Sequence, residues 1–508
     1  MTKEMDSRVL ELTGHDLTAC DVKRVAEGSA TVTIAAEAEA RMQDSYALVL
    51  KIVASGRPTY GISTGFGEMS RVLISEDMNA ALQLNLIRSH ASGVGEPLSK
   101  DITRAVMLLR LNALCVGYSG INPEVTDLLC ELINRGITPV IPEQGSLGAS
   151  GDLANLAHMS LVLLGEGEAW VDGDRLHGAE ALQKRGLKPV KLSGKDGLAL
   201  INGTSVMLGI GVMTYLVADY CLHAANVAAA LTFEALNGFT NAYDPRIHQL
   251  RKQEGQMEVA KSLLTLLQGS QYANTRAEDV QDAYTLRCVP QVHGASHDAL
   301  SYVETILSRE MNAVTDNPIV FAKEGDVISG GNFHGQPLAL VLDFLGIAVS
   351  ELANISERRT ERMVNPQLSN GLPAFLCQNG GVQSGFMIPQ YVAASLVSEN
   401  KILAHPASVD SIPSSANKED HVSMGAIAAR KARKIVENTS RVLAIELMCA
   451  AQAIDLQTKR KLGVGTKRVY DLIRRHVPAL TEDRPPSEDI ERISQLILNG
   501  DIRILFDE

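Results

Sequence analysis

Three stretches of unbroken helical periodicity constrain this chain more than any other feature of it. Residues 206–239 are apolar and Ala-rich, with Glu234 the one acidic residue after Asp219. Apolar side chains spread around the whole circumference fit a helix buried on nearly every side, in the middle of a bundle. Gln336–Val364 repeats the pattern and stops at Asn365-Pro366, as the steric restriction on a residue before proline requires. Residues 423–456 are apolar on one side and carry Arg430, Lys431, Arg433 and Lys434 on the other. Helices of this length predict a mainly all-α fold, an elongated helical bundle of long central helices whose exposed ends imply oligomerisation. Aromatic residues are only 4% of the chain, with a single Trp, which favours helix-on-helix packing over sheets.

At 508 residues the chain exceeds what a single core usually organises. A smaller mixed N-terminal part is expected over 1–205, the central long-helix bundle over 206–460, and a C-terminal helical cap over 461–508. In the first part the pattern predicts an extended piece at 9–12, a helix after Thr18, a strand at 30–34 and a helix through Val53. Helices resume from Asp77 and over 101–116, a strand-like piece follows at 138–141, and small surface hairpins are expected over 165–200. The run 197–218 carries no formal charge and reaches membrane-spanning length. Asn202, Thr204, Ser205 and several glycines interrupt it, so it reads as a buried helix entered through a polar loop.

Charge and cysteine usage narrow the partners. A formal net charge of −12 argues against nucleic-acid and anionic-membrane partners. The seven cysteines are scattered without C-x-x-C spacing, which suits a reduced, cytoplasmic protein with no cysteine metal site. Met1-Thr2-Lys3-Glu4-Met5-Asp6 is polar and acidic, so no signal peptide is expected. There is no Walker loop, and Gly209-Ile210-Gly211 lacks the third glycine of a dinucleotide fingerprint. His293 and His297 stand at i, i+4 without an H-E-x-x-H carboxylate, so no metal or nucleotide is expected.

The familiar hydrolase and transferase motifs being absent, the chemistry is sought in polar stretches within apolar surroundings. Ala149-Ser150-Gly151 follows a Gly-punctuated loop and precedes Asp152, a good N-cap for a helix from Leu153. Glycines on both sides allow the tight fold in which Gly151 N attacks the Ala149 carbonyl. Loss of two waters then turns Ser150 into a dehydroalanine within an imidazolone ring, at the positive end of a helix dipole. A plain turn accounts for the triplet equally well. Six further stretches stand out: Tyr60-Gly61-Ile62-Ser63-Thr64-Gly65, Ser89-His90-Ala91-Ser92-Gly93, Ile201-Asn202-Gly203-Thr204, Gln281-Asp282-Ala283-Tyr284-Thr285-Leu286-Arg287, Gly330-Gly331-Asn332-Phe333-His334-Gly335, and Asn417-Lys418-Glu419-Asp420-His421. Singly, each has a structural reading: Tyr60 a half-buried core tyrosine, Asn202 a helix N-cap, Arg287 a surface ion pair, Glu419 a first-turn carboxylate of the helix from Ser423.

Together these stretches resemble the histidine/phenylalanine/tyrosine ammonia-lyase family over nearly the whole chain. The resemblance is carried by Tyr60-Gly61-Ile62-Ser63-Thr64-Gly65-Phe66-Gly67, Gly145-Ser146-Leu147-Gly148-Ala149-Ser150-Gly151-Asp152-Leu153 and Gly330-Gly331-Asn332-Phe333-His334-Gly335-Gln336-Pro337. It implies a fumarase/aspartase-like helical fold and a homotetramer whose active sites are shared between subunits. It also implies a 4-methylidene-imidazol-5-one cofactor (MIO) formed autocatalytically from Ala149, Ser150 and Gly151. Glu419 and Met387 match the branch of the family that acts on histidine, and His90 is compatible with it. That branch eliminates ammonia from L-histidine to give trans-urocanate, the first step of histidine degradation. The alternative is elimination from tyrosine or phenylalanine, or 2,3-aminomutation, with the same chemistry; a relative whose triplet never cyclises is the third reading. Asn155, Lys418 and Glu68 depart from the pattern of that first branch.

The resemblance assigns catalysis to Tyr60, Ser150, Tyr284 and Glu419, and substrate binding to His90, Asn202, Gln281, Arg287, Phe333, Met387 and Glu419. Tyr60 suits the base for the β-proton, its pKa lowered by cationic and amide dipoles. Arg287 suits a bidentate clamp on the substrate carboxylate. Glu419 would accept a hydrogen bond from an imidazole N–H, with Lys418 pointing away from it.

Overall fold

The structure, a computed structural model, describes residues 9–276 and 279–505. The N-terminal stretch in which a signal peptide was sought lies outside the described residues. Nineteen α-helices and only short strands of two to four residues occur among the described residues, so the fold is the mainly all-α one expected. The chain divides into two compact units, one of Met1–Met213, Glu304–Leu342 and Pro406–Arg430, the other of Thr214–Val303, Asp343–His405 and Lys431–Glu508. Four of the five divisions fall inside long helices, Ser205–Ala235, Val289–Met311, Gln336–Val364 and Gly425–Asp455, and the fifth follows Met387–Leu403.

In the first unit, local signals start the elements. Thr18 opens Ala19–Ala26 through a reciprocal capping box with Asp21. Strand Val9–Leu12 pairs in parallel with Thr31–Ile34, Val9 opposite Thr31. Helix Lys100–Cys115 is buried almost throughout from Ile102 on. Pro123–Asn134 was not anticipated, although Asn122 caps it and Pro123 occupies its first turn.

The expectation of surface hairpins over 165–200 is corrected in part. Glu168–Val171 and Asp174–His177 do form a hairpin. The rest holds helices Gly178–Lys184 and Asp196–Ile201, the second wholly buried. Its charges are buried because they are satisfied: Lys195 Nζ lies 2.6 Å from Asp316 Oδ2, and the Asp196 carboxylate accepts from the amides of Asn122 and Ser193, each at 2.8 Å. Burial still raises the Asp196 carboxyl to about 7.

The second unit is organised around a buried ion pair. Arg359 donates to both oxygens of Glu446 at 2.5 and 2.8 Å, and neither side chain has solvent exposure. The hydroxyls of Thr232 and Ser356 donate to the same carboxylate at 2.7 and 2.6 Å. Removing one partner of such a pair costs about 3–5 kcal/mol. His293 spends its Nδ1 on Asn226 Oδ1 at 2.8 Å, inside this core. Ser205–Ala235 and Gln336–Val364 are long and apolar enough to cross a membrane. Their most apolar windows are 78% and 67% buried, as core helices are. The charge-free run 197–218 resolves into Asp196–Ile201, a polar turn, and the start of Ser205–Ala235.

Candidate active site

The loop 145–152 is built to hold Ser150 in one place. Gly151 has φ +73°, and a Cβ there would collide with the Gly203 backbone, so only glycine fits this cradle. Ser146 Oγ bonds the Gly151 carbonyl at 3.1 Å and accepts from Gly148 N at 3.1 Å. Met424 N donates to Leu147 O at 3.0 Å, while Ala149 packs with Val422 and Met424. Close-packed glycines flanking a fixed serine are the backbone that cyclisation of 149–151 requires.

Asp152 departs from its expected role. It occupies the N-cap position of Leu153–Leu163, but its side chain makes no bond to that helix. Its Oδ2 accepts instead from Val206 N at 2.9 Å and Met207 N at 2.8 Å, capping Ser205–Ala235. Asp152 N donates to Gly203 O at 2.8 Å, and Ser146 Oγ lies 3.1 Å from Oδ1. One buried carboxylate thus fastens the Ser150 loop to the end of the longest apolar helix. Burial raises its pKa to about 6 against these hydrogen bonds. Asn202 likewise is no N-cap: it terminates Asp196–Ile201, and its buried Oδ1 has no partner.

Ser150 Oγ donates to Glu419 Oε1 at 3.1 Å, and Ser414 Oγ lies 3.3 Å from Oε2. Glu419 is therefore not a first-turn helix carboxylate; the long helix begins at Gly425, and Glu419 belongs to a loop bridged to Ser414. Ser414 is a site residue that sequence reasoning missed, since nothing in its own spacing points to Glu419. His90 ends helix Glu76–His90 and, with Ser150 and Glu419, lines a cavity of about 240 Å3. Burial lowers its pKa, with the Glu419 charge opposing, which leaves a neutral ring near pH 7.

Tyr60 is carried by the 59–67 turn, which Asn79 fixes through the Ile62 carbonyl at 2.9 Å. Its hydroxyl accepts from Gly67 N at 3.3 Å. The expected lowering of its pKa is not found. Burial raises it, the Gly67 amide opposes weakly, and the nearby Glu419 charge raises it further. Phe333 sits half-buried in the turn before Gln336–Val364. Its neighbour His334 stacks on His421 with centroids 5.7 Å apart and bonds the His421 carbonyl at 3.2 Å, tying that turn to the Glu419 loop. Of the sequence departures, Asn155 donates to Pro142 O at 2.6 Å, and Lys418 Nζ lies 3.6 Å from Glu68 Oε2 rather than turning to Glu419.

Gln281, Tyr284, Arg287 and Met387 belong to the second unit, and none of them lines this cavity. Gln281 and Tyr284 are exposed. The Arg287 guanidinium stacks 4.5 Å from the Tyr284 ring centroid, and its buried Nε has no partner. Among the described residues it forms no ion pair, so the surface ion pair that its residue type allows is not found there. Met387 opens helix Met387–Leu403, half-buried.

Within the first unit, then, a fixed serine bonds a carboxylate and shares a cavity with an imidazole, while Tyr60, outside that cavity's lining, is near enough for its hydroxyl to feel the Glu419 charge. Residues 17–475 match the family described as aromatic amino acid lyase. The chain is 60% identical over 497 residues, 98% of each chain, to a histidine ammonia-lyase of Treponema denticola. The crystal structure of histidine ammonia-lyase from Trypanosoma cruzi is similar at TM-score 0.91 and 43% identity, covering 97% of this chain and 94% of that one. Tyrosine aminomutase from Streptomyces globisporus superposes at TM-score 0.94 with 38% identity, covering 98% of both. The chain belongs to the aromatic amino acid lyase family and is a carbon–nitrogen lyase.

Proposed function

We propose that the protein eliminates ammonia from L-histidine to give trans-urocanate. The reading rests on one placement, the Glu419 carboxylate held 3.1 Å from Ser150 Oγ beside His90. A carboxylate accepts only, so it binds an imidazole N–H and leaves a phenyl ring nothing to offer. The relatives named for histidine elimination support the same substrate.

The residues at 149–151 fit an MIO group, because glycine at 151 is enforced and Ser150 is fixed. Once formed, that group supplies an electrophile that makes the substrate amine a competent leaving group. The other roles belong to side chains. Tyr60 takes the β-proton onto its oxygen, and Arg287 clamps the substrate carboxylate through its planar fork. Tyr284 assists at the reacting carbon, while Asn202, Gln281, Phe333 and Met387 enclose the substrate. Three features support sites completed by other copies in a cytoplasmic homotetramer: exposed Gln281 and Tyr284, and the Arg287 nitrogen without a partner.

Incubation with histidine, tyrosine and phenylalanine, with product identification, tests the reading. Urocanate from histidine at the highest kcat/KM is expected, and faster turnover of tyrosine, or a β-amino acid product, would replace it with the aromatic lyase or aminomutase reading. Glu419→Gln keeps the shape and removes the charge. It should lower kcat/KM on histidine by about tenfold or more, from about 1–3 kcal/mol for a weakened charged hydrogen bond, and narrow the preference over phenylalanine.

A further inference from the structure

We propose that the second unit holds a separate binding site for a phosphate-bearing small molecule. The site is a cavity of about 550 Å3 beside the start of helix Val464–His476. That volume lies within the roughly 300–1,000 Å3 usual for small-molecule pockets. None of its lining residues has a part in the chemistry proposed above.

Charge is the first ground. Lys459, Arg460, Lys461 and Lys467 line the cavity against one carboxylate, Asp455. Asp455 is already taken, by the Tyr470 hydroxyl and by Arg474 at 2.6 Å. Lys467 pairs with Asp471 at 2.5 Å. Among the described residues, Lys459, Arg460 and Lys461 form no ion pair, in a chain whose net charge is −12. Arg460 Nη1 donates to the neutral acceptors Asn237 Oδ1 at 3.4 Å and Thr275 Oγ1 at 3.3 Å, so among the described residues the three cations are not neutralised; they repel one another, and a multiply charged anion between them removes that penalty. A single carboxylate would neutralise only one of them, whereas a phosphate ester carries up to two charges and several acceptor oxygens.

Rigidity is the second ground. Backbone bonds fasten the basic segment to 268–272: Gln271 N to Lys461 O at 2.8 Å, and Val464 N to Gln268 O at 3.0 Å. Arg460 N donates to Tyr272 Oη at 3.2 Å, and its guanidinium lies 5.7 Å over the Tyr272 ring. The cations therefore project from a backbone that is already ordered, so less entropy is lost on binding.

The floor gives the third ground. Buried Tyr272, Ile454 and Leu462 make it apolar, and the volume is larger than one phosphate fills. The ligand accordingly carries an organic body besides its anion.

Calorimetric titration of the full-length protein tests this with adenosine monophosphate, pyrophosphate and benzoate as probes. Adenosine monophosphate should bind one per chain, pyrophosphate more weakly, and benzoate not measurably. The exposed double variant Lys459→Ala/Lys461→Ala should lose about tenfold or more in affinity for adenosine monophosphate, the scale of lost hydrogen bonds to a charged group. Its Tm and lyase rate should stay at wild-type values, and Lys459→Arg/Lys461→Arg should retain binding. No binding of either phosphate at millimolar concentration, or an affinity unchanged in the double alanine variant, would overturn the site. Pyrophosphate matching adenosine monophosphate would overturn the organic body, and benzoate matching it would overturn the phosphate class.

Discussion

The loop that carries Ser150 and the segment that carries Arg287 solve opposite problems. Loop 145–152 is satisfied within its own unit, by Ser146, by the Gly203 carbonyl and by an aspartate that caps a distant helix. Among the described residues, segment 281–287 is anchored through Asp282 and Leu286. Asp282 is buried, accepts from Phe239 N at 2.7 Å and pairs with Arg276, while Tyr243 Oη bonds the Leu286 carbonyl at 2.8 Å. In front, Tyr284 is 69% exposed and Arg287 Nε has no partner among the described residues. A reactive group made from backbone must be positioned by its own chain before any substrate arrives. A clamp for a substrate must stay unsatisfied until then, because a partner already in place would have to be displaced at the cost of its hydrogen bonds.

Ser150→Ala is the strongest test of the self-contained side. It leaves every loop bond except the Ser150–Glu419 contact, whose hydroxyl the proposed dehydration also removes from the wild type, so the fold and Tm should survive. Activity should fall nearly to nothing, because no methylidene can form. Intact mass of the wild-type protein should be lower than the sequence mass by two waters, and that of the variant should not. Active protein of unmodified mass would remove the MIO group from the scheme.

Tyr60→Phe follows, with a loss of about 10²–10⁴-fold in kcat, the range for a positioned general base, and unchanged dehydration of 149–151. A base works deprotonated, so the rate should climb with pH through the Tyr60 pKa. Burial and the Glu419 charge push that pKa up, which places the limb on the alkaline side. Glu419→Gln removes the charge and should move the limb to lower pH. A limb that stays in place would show that burial, the larger cause, rather than the Glu419 charge sets the tyrosine.

Legibility from sequence followed the same division. Gln336–Val364 appears with both ends as its periodicity and the following Asn-Pro demanded, and the Thr18 cap begins its helix as read. Where the deciding contact lies far along the chain, reading failed. Lys195 and Asp196 looked like surface because their charges were visible and their partners, Asp316 and the Asn122 amide, were not. Asp152 satisfied every local rule for capping Leu153–Leu163 and caps Ser205–Ala235 instead. The motifs that carry Ser150, Glu419 and His90 were legible, but the direction of the Tyr60 pKa was not, since it depends first on burial by the folded chain and then on Glu419, more than three hundred positions away.

Asp152→Asn separates the cap from the chemistry and should have a moderate effect. An amide has one acceptor oxygen, so either the two helix amides or the Ser146 hydroxyl must face an NH2 group. That should cost about 1–3 kcal/mol of stability. The pH dependence has a definite sign. The folded carboxyl titrates at about 6, above the ordinary carboxylate value near 3.9. Between those values the native state holds more protons than the unfolded one, so this group's contribution falls as pH rises through that window. The variant lacks the titration, so its Tm deficit should be largest near the bottom of the window and shrink towards neutral pH. A deficit that grows with pH would mean that the ionised carboxylate is favoured by the fold.

The smallest effect is expected at Lys418, where a large one was conceivable. An ammonium next in sequence to Glu419 could neutralise the carboxylate and blunt its choice of substrate. In the structure Lys418 Nζ is 3.6 Å from Glu68 Oε2, both side chains more than half exposed, and Glu419 keeps its bonds to Ser150 and Ser414. The pair links the turn Gly67–Arg71 to the turn Ser415–Asn417, so it braces the loops of Tyr60 and Glu419 from outside. Exposed pairs of this kind contribute about 0–1 kcal/mol and weaken with salt. Lys418→Ala should therefore change kcat/KM on histidine by about fivefold at most, with the preference over phenylalanine unchanged and the difference fading at high ionic strength. Glu68→Ala should do the same, and the double variant no more than either alone, because each substitution breaks one shared contact. If Lys418→Ala instead sharpened the preference for histidine, the ammonium would be acting on Glu419 during catalysis, and the site would be less self-contained than its loop.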